Sequence, residues 1–241
     1  MPPIIHVMRH AEGIHNRDVF YSHEDPPLTQ NGELQCVQQP FPFGQDLIFS
    51  SPMRRTISTA LLACRRAVDE GTSIILVPDL MENFRAVVNT GSELETIRGQ
   101  FGARVVTDLL AEEWDQDESV NSSVVAEVQE RARLARLAIR TFVVEYIQQH
   151  PDIPDPQIVV TSHGYFIPFL VGDYTAFDVD SGTTWKNAEW RSYEFVDFPG
   201  KGMDDEASLR ETDDSLAKRG KQRPTAEEQA HGLNTYNTFR G

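Results

Sequence analysis

Short runs of apolar and β-branched residues recur along the chain and predict buried strands. The first run ends at Arg9-His10, and a late run that ends at Ser162 is followed by His163-Gly164. The predicted strands are residues 3–9, 46–50, 74–77 and 157–162, with one or two further strands within residues 187–198.

Helical patterns lie between these strands. Residues 123–149 give the clearest one, with Val128 and Ala135 among the apolar positions that share a face. Ser51-Pro52 predicts the start of a helix that runs to about residue 69, with Ser51 as its N-cap and Pro52 at its first position. Two more helices are predicted, over residues 33–39 and over residues 92–113 with a break near Gly99 or Gly102.

The alternation of strands and helices indicates an α/β fold, a three-layer α/β/α sandwich around a mostly parallel sheet. In such sheets, ligands bind in the crevice outside the carboxyl ends of the strands. His10 and His163 each follow a predicted strand at that end. We therefore expect the two imidazoles to share one site.

The composition changes near residue 200, which predicts two regions of different character. Residues 1–200 are expected to form the catalytic domain. From 201 to 241 the chain is rich in charged residues and glycine and has few large apolar residues. This segment is predicted to be a weakly packed polar tail with a short helix around residues 225–232.

Charge and cysteine content exclude several classes of function. The net charge of −15 argues against nucleic acid or an anionic membrane as the main partner. Cys36 and Cys64 are the only cysteines and do not form a Cys-x-x-Cys pattern, so we expect neither a disulfide framework nor a zinc site. No apolar stretch approaches the length of a membrane-spanning helix, and we expect a cytoplasmic protein. The sequence leaves self-association open.

The residues beside the two histidines suit phosphate chemistry. Arginine presents a planar fork of donors to phosphate oxygens, and Arg9 and Arg55 each follow a predicted strand. An imidazole held among such donors can attack phosphorus and form a phosphohistidine. Glu82 is a candidate acid for the leaving oxygen. Guanidinium groups can stabilise the phosphoryl charge themselves, so no metal ion or other cofactor is expected.

Four motifs together resemble the histidine phosphatase superfamily, in its phosphoglycerate-mutase-like branch (branch 1). Each motif alone is a weak signal, but all four occur in the order and at the spacing of that family, across roughly residues 3–198. The motifs are RHAEGIHN at 9–16, SPMRRTISTA at 51–60, Glu82 within LMENF, and SHG at 162–164.

The resemblance implies a role for each matching residue and a phosphoglycerate-mutase-like fold. His10 would be the phosphorylated nucleophile, and Glu82 would act first as the acid and then as the base. A small phosphorylated molecule would be the substrate and inorganic phosphate the product. The phosphoryl group would be bound by Arg9, Asn16, Arg55, His163 and Gly164, with Arg85 as a candidate for a second anionic group.

The chain departs from the family pattern in two places. Ala11 stands where many members have glycine, and its methyl group is tolerable if the backbone angle is ordinary. Residues 84–91 are more apolar than the corresponding segment often is, which favours a leaving group with hydrophobic area.

Two alternatives to a phosphatase stay open from the sequence. A phosphomutase would use the same residues, but Gly13-Ile14-His15 does not match the Glu-Ser-x-Trp-Asn motif of dedicated phosphoglycerate mutases. A catalytically inactive binding or regulatory protein could share the fold, although every expected catalytic side chain is present. The sequence favours hydrolysis.

Overall fold

The computed structural model describes residues 2–18, 20–84, 86–114, 122–198 and 205–240. For residues 239 and 240 it describes the backbone alone. Within these ranges, no helix is both long enough and apolar enough to cross a membrane.

A mixed sheet of seven strands forms the centre of the molecule, with the order β4-β3-β2-β5-β1-β8-β9. The five strands from β4 to β1 run parallel, and β8 and β9 continue the sheet in antiparallel pairing. The seven strands are β1 (Ile4–Arg9), β2 (Leu47–Ser50), β3 (Ile74–Leu76), β4 (Val105–Val106), β5 (Gln157–Ser162), β8 (Trp190–Phe195) and β9 (Leu209–Glu211). A separate two-stranded ribbon consists of β6 (Phe177–Asp178) and β7 (Gly182–Thr183).

Helices cover both faces of the sheet, which confirms the predicted three-layer α/β/α architecture. The alternation of side chains along β1 sends Ile5 and Val7 into one core and Met8 into the other. The helices are α1 (Ile14–Arg17), α2 (Gln30–Gln38), α3 (Arg54–Ala63), α4 (Arg65–Asp69), α5 (Leu94–Phe101), α6 (Val125–Gln149), α7 (Ile167–Val171), α8 (Asp213–Lys218) and α9 (Ala226–Arg240). Helices α6, α7 and α9 contribute to the first core, and α2, α3 and α5 to the second.

The helix predicted from Ser51 begins later and is divided. Met53 is the N-cap residue of α3, and a break at Cys64 separates α3 from α4. Ser51 is not the cap, because its hydroxyl lies 2.9 Å from His163 Nε2. The Ser51 side chain, which the local pattern predicted as the helix cap, therefore makes a tertiary hydrogen bond to His163 instead.

Two other helix boundaries differ from the prediction. The hydroxyl of Thr29 accepts a hydrogen bond from the Gly32 amide, so α2 begins at Gln30, three residues before the predicted start. The helix predicted over 92–113 spans Leu94–Phe101 and ends at the predicted break near Gly102, which has a φ of 58°. Beyond that break the chain forms β4 instead of continuing as a helix.

The prediction of a weakly packed tail is wrong for residues 205–240. Strand β9 pairs with β8 and extends the sheet, and α9 packs against residues 174–178. Tyr236 in α9 is only 1% exposed and lies among the rings of Phe169 and Phe177. A few well-placed apolar residues therefore fix a segment whose average composition is polar. A domain boundary near residue 200 stays a prediction.

Candidate active site

Four neighbouring parallel strands bring the predicted site residues to one edge of the sheet. Arg9 at the end of β1 lies opposite Ser162 at the end of β5, and Ser50 at the end of β2 lies opposite Thr161. Strand β3 ends beside them. The segments that follow these four strands carry His10, Glu82 and His163 in loops and Arg55 in the first turn of α3, so side chains that are distant in sequence meet in one place.

His10 is 2% exposed, and one of its ring nitrogens bears a free lone pair. Its Nδ1 lies 2.8 Å from the carbonyl oxygen of Ala11, which can only accept, so Nδ1 carries the proton. Nε2 is then unprotonated. Burial first, and then the charges of Arg55 and Arg9, hold the pKa of His10 well below its usual range. His10 is therefore a neutral imidazole with a nucleophilic nitrogen at neutral pH.

His163 is fully buried and faces His10, with ring centroids 5.3 Å apart at an interplanar angle of 60°. Its Nδ1 lies 3.3 Å from Arg55 Nη2 and its Nε2 lies 2.9 Å from the hydroxyl of Ser51. Since a guanidinium only donates, Nδ1 is the acceptor and Nε2 carries the proton. Burial and the charge of Arg55 lower the pKa of His163 well below its usual range.

Arg55 is a charged group held almost without solvent, at 1% exposure. Its Nη1 donates to the carbonyl oxygen of Val88 at 2.8 Å, and its Nη2 donates to Asn89 Oδ1 at 3.0 Å. Burial lowers its pKa to about 10, against the opposing charges of Asp25 and Glu82. The guanidinium stays charged at neutral pH, and its buried Nε has no hydrogen-bond partner within the described part of the chain.

Arg9 supplies the second guanidinium. Its Nη1 donates to the carbonyl oxygen of Trp185, and its buried Nε lacks a partner among the described residues. Gly164 packs directly on this group, because a Cβ there would lie 3.0 Å from Arg9 Nε and 2.8 Å from Thr183 Cγ2. We refer to Arg9, His10, Arg55 and His163 as the histidine–arginine cluster. It offers two unpartnered guanidinium nitrogens and an imidazole lone pair.

Glu82 lies beside the cluster and is 7% exposed. Its Oε1 accepts from the Asn83 amide at 3.0 Å and its Oε2 from the Tyr165 amide at 3.3 Å. Burial raises its pKa, although these two hydrogen bonds and the charges of Arg55 and Arg9 oppose the shift. A carboxyl group with a raised pKa is suited to hold a proton and then release it.

Asn16 lies on the exposed rim of the site. Its Oδ1 accepts from the Gly13 amide at 2.9 Å and from Asn187 Nδ2 at 3.3 Å, while its Nδ2 is 3.2 Å from His15 Nε2. The side chain is thus oriented by its own loop and by Asn187. Its expected hydrogen bond to a phosphoryl group stays a prediction.

Three neighbours of the cluster have no role assigned by the sequence, which left His15 open between the rim of the site and plain solvent exposure. His15 lies with its ring centroid 5.6 Å from that of His10, and burial followed by the charges of Arg55 and Arg9 lowers its pKa to about 3. Asn187 donates to the carbonyl oxygen of His10 at 3.0 Å. The third is Ser51, the hydrogen-bond partner of His163. Proximity to the motif could have indicated His15 and Ser51, but no local signal points to Asn187.

The two departures from the family pattern are resolved differently. Ala11 is buried and has no positive φ, so its methyl group packs in the core without strain. Arg85 lies outside the described residues. In the segment that follows Glu82, Phe84 has a φ of 61° and its ring lies 5.3 Å from that of Tyr165.

Within the part of the chain that the structure describes, no group of His, Cys, Asp and Glu side chains is arranged to hold a metal ion.

Several solved structures are similar to the chain. The chain is similar in fold to the ecdysone phosphate phosphatase of Bombyx mori, with 15% identity over 80% of this chain and 89% of that one and a TM-score of 0.57. A structure named mycobacterial hydrolase 2 shares 17% identity over 97% of this chain and 98% of that one, with a TM-score of 0.52. A mycobacterial glucosyl-3-phosphoglycerate phosphatase is 20% identical over 88% and 97% of the two chains, with a TM-score of 0.49.

No curated protein sequence matches the chain significantly. The model of the histidine phosphatase superfamily (branch 1) matches residues 5–201, which include all four sequence motifs and every member of the histidine–arginine cluster. The chain therefore belongs to the histidine phosphatase superfamily, branch 1.

Proposed function

We propose that the protein is a metal-independent phosphatase that hydrolyses a small phosphorylated metabolite through a phosphohistidine on His10. The observation that supports the proposal most strongly is the tautomer of the His10 ring. The Ala11 carbonyl oxygen, 2.8 Å away, fixes the proton on Nδ1, so the lone pair is on Nε2 in a site lined by two guanidinium groups. A nucleophile in a fixed tautomer next to buried cations is what phosphoryl transfer to nitrogen requires.

In the first half-reaction, His10 Nε2 attacks phosphorus as the bond from phosphorus to the leaving oxygen breaks. Glu82 gives its proton to that oxygen, which leaves as an alcohol. Arg9 and Arg55 stabilise the charge on the equatorial oxygens, because each has a buried Nε without another acceptor among the described residues. His163 Nε2 carries a proton that it shares with the Ser51 hydroxyl, and it can donate this proton in a hydrogen bond to a phosphoryl oxygen instead.

In the second half-reaction, the Glu82 carboxylate takes a proton from a water molecule. The water oxygen attacks phosphorus and the bond from phosphorus to His10 Nε2 breaks, which releases inorganic phosphate. The surroundings of Glu82 support both of its roles. Burial favours the protonated acid, whereas the Asn83 and Tyr165 amides and the charges of Arg55 and Arg9 stabilise the carboxylate.

The side chains beside Glu82 support a leaving group with hydrophobic area. Phe84 and Tyr165 form an edge-to-face pair with centroids 5.3 Å apart, and the Tyr165 amide itself binds Glu82. An apolar part of the substrate can pack on this pair while its ester oxygen faces the acid. The buried free thiols of Cys36 and Cys64 support the cytoplasm as the place where the enzyme works.

The proposal is tested by the hydrolysis of a generic aryl phosphate by the wild-type protein and by His10→Ala. We expect turnover in the wild type and its loss in the variant, with the melting temperature nearly unchanged. His23→Ala is the matched control, because His23 is exposed and is not a cluster residue. Appreciable hydrolysis by His10→Ala would contradict the assignment.

A further inference from the structure

A pocket separate from the candidate active site lies next to the histidine–arginine cluster, on the other side of the segment that precedes β8. It has a volume of about 550 Å³, within the usual range of small-molecule sites, roughly 300–1,000 Å³. One wall is the segment from Lys186 to Arg191, and the facing wall is the end of α8 with residues 219–224. The region predicted as a loose tail thus forms half of a concave site.

Arg191 provides a polar anchor in this pocket. Its side chain is only 4% exposed, and its Nε is 2.7 Å from Glu189 Oε1. The guanidinium carbon lies 3.7 Å above the centre of the Trp185 ring, which fixes the plane of the group. Within the described part of the chain, the hydrogen bond of its side chain is made through Nε alone, which leaves both Nη nitrogens for a ligand. A buried, oriented guanidinium with two free Nη nitrogens matches a carboxylate or phosphate group.

The charges around Arg191 also favour an anion. Lys186 and Lys221 are exposed at the pocket and make no ion pair within the described ranges. Arg219 lines the pocket too, but its charge is balanced by Glu211 at 2.7 Å. The carboxylates that line the pocket are Asp173 and Glu189, and the second is already paired with Arg191. Glu189 balances the charge of Arg191 as Glu211 balances that of Arg219, so the excess positive charge of the pocket comes from Lys186 and Lys221 against Asp173, in a chain with a net charge of −15.

The wall of this pocket also supports the histidine–arginine cluster. The Trp185 carbonyl oxygen accepts from Arg9 Nη1, and the Glu189 carbonyl oxygen accepts from the Arg9 amide at 3.0 Å. Asn187, which lines the pocket, donates to the His10 carbonyl oxygen at 3.0 Å. A ligand bound to Arg191 would thus touch the segment that positions both Arg9 and His10.

We propose that this pocket is a second anion site, which binds a small organic anion through a carboxylate or phosphate on the guanidinium of Arg191. The lysines Lys186 and Lys221 supply the surrounding positive charge. The site is separate from the histidine–arginine cluster and does not depend on the chemistry proposed for His10. Residues 185–189 lie between the two sites and contact Arg9 and His10.

Titration with succinate tests the proposal, because this dicarboxylate can bind a guanidinium but cannot be hydrolysed as a phosphate ester. Binding is followed by calorimetry and by tryptophan fluorescence, since Trp190 lines the pocket and Trp185 stacks on Arg191. We expect saturable binding by the wild type. Arg191→Gln should weaken it roughly tenfold or more, as loss of a charge-assisted hydrogen-bond pair does.

Three further variants keep the outcome interpretable. The double variant Lys186→Gln/Lys221→Gln changes only exposed side chains, so it keeps the fold and should still weaken binding several-fold. Arg66→Gln, on the exposed face of α4, and Arg55→Gln, in the cluster, should leave succinate affinity unchanged. The proposal is overturned if the wild type shows no saturable binding up to roughly 10 mM succinate. It is also overturned if Arg55→Gln abolishes binding while Arg191→Gln retains it. Neither outcome bears on the phosphatase assay.

Discussion

The ring of His10 lies edge to face against the ring of His163, with centroids 5.3 Å apart. The two residues follow β1 and β5, which pair in parallel register, and the His10 amide donates to the Ser162 carbonyl oxygen at 2.9 Å. Backbone pairing therefore sets the distance between the imidazoles. The proposed function requires one tetrahedral anion to contact both rings and both guanidinium groups of the histidine–arginine cluster.

Replacement of the proposed acid should affect esters according to their leaving groups. Glu82→Gln cannot protonate the leaving oxygen, so we expect kcat/KM to fall roughly 10²–10⁴-fold for alkyl phosphates and far less for nitrophenyl phosphate. The measurement is kcat/KM, which reports phosphoryl transfer to His10, for a series of esters of increasing leaving-group pKa. Glu33→Gln, on the exposed side of α2, is the control. Equal slowing for all esters would remove Glu82 from the acid role.

Chelating agents should leave the rate unchanged. In the proposed mechanism, the buried guanidinium groups of Arg9 and Arg55 supply the positive charge that a metal ion supplies in other phosphatases. Turnover of an aryl phosphate is measured before and after dialysis against EDTA. A rate that is lost on chelation and restored by one divalent ion would show that the proposed metal-independent mechanism is wrong.

The stability of the fold should fall as the pH drops from about 6.5 towards 4, partly because of His6. This buried ring bonds to Ser192 and Gln157, and burial lowers its pKa to about 4. The unfolded chain therefore binds the proton first in this window, which costs up to about 3 kcal/mol of folding free energy. The measurement is the pH dependence of the free energy of unfolding. His6→Gln should show a shallower loss, His23→Gln the wild-type slope, and an unchanged slope in His6→Gln would refute the account.

The C-terminal helix should contribute to global stability. Tyr236 is 1% exposed against Phe169 and Phe177, so Tyr236→Ala should destabilise the protein by about 3 kcal/mol. Asn237→Ala, on the exposed side of α9, should change stability by less than about 0.5 kcal/mol. Urea unfolding of both variants provides the comparison. Equal stability of the two variants would mean that α9 is not packed on the domain.

The central strands and the histidine–arginine cluster could be predicted from the sequence because both depend on patterns of neighbouring residues. Each of the central strands is a short stretch rich in apolar and β-branched residues, and His10 or His163 follows directly at the end of β1 or β5. The short strand β4 could not be predicted, since two residues gain their stability from the neighbouring β3 rather than from their own pattern.

The roles of several polar side chains depend on partners far away in the chain. Ser51 has the local features of an N-cap, but the approach of His163 decides its hydrogen bond. Asn187 is one polar residue among many in its segment, and only the pairing of β8 with β1 brings it to His10. In the C-terminal region, Tyr236 outweighs the polar average because burial acts on individual side chains.

Covalent trapping is the most direct test of the phosphatase mechanism. The protein is mixed with an aryl phosphate, quenched in alkali within one turnover, and digested for mass spectrometry. We predict one phosphoryl group on the peptide that contains His10, labile to acid and absent in His10→Ala. A wild-type enzyme that turns over without this adduct, or that carries the phosphoryl group on Ser51 or another residue, would contradict the account.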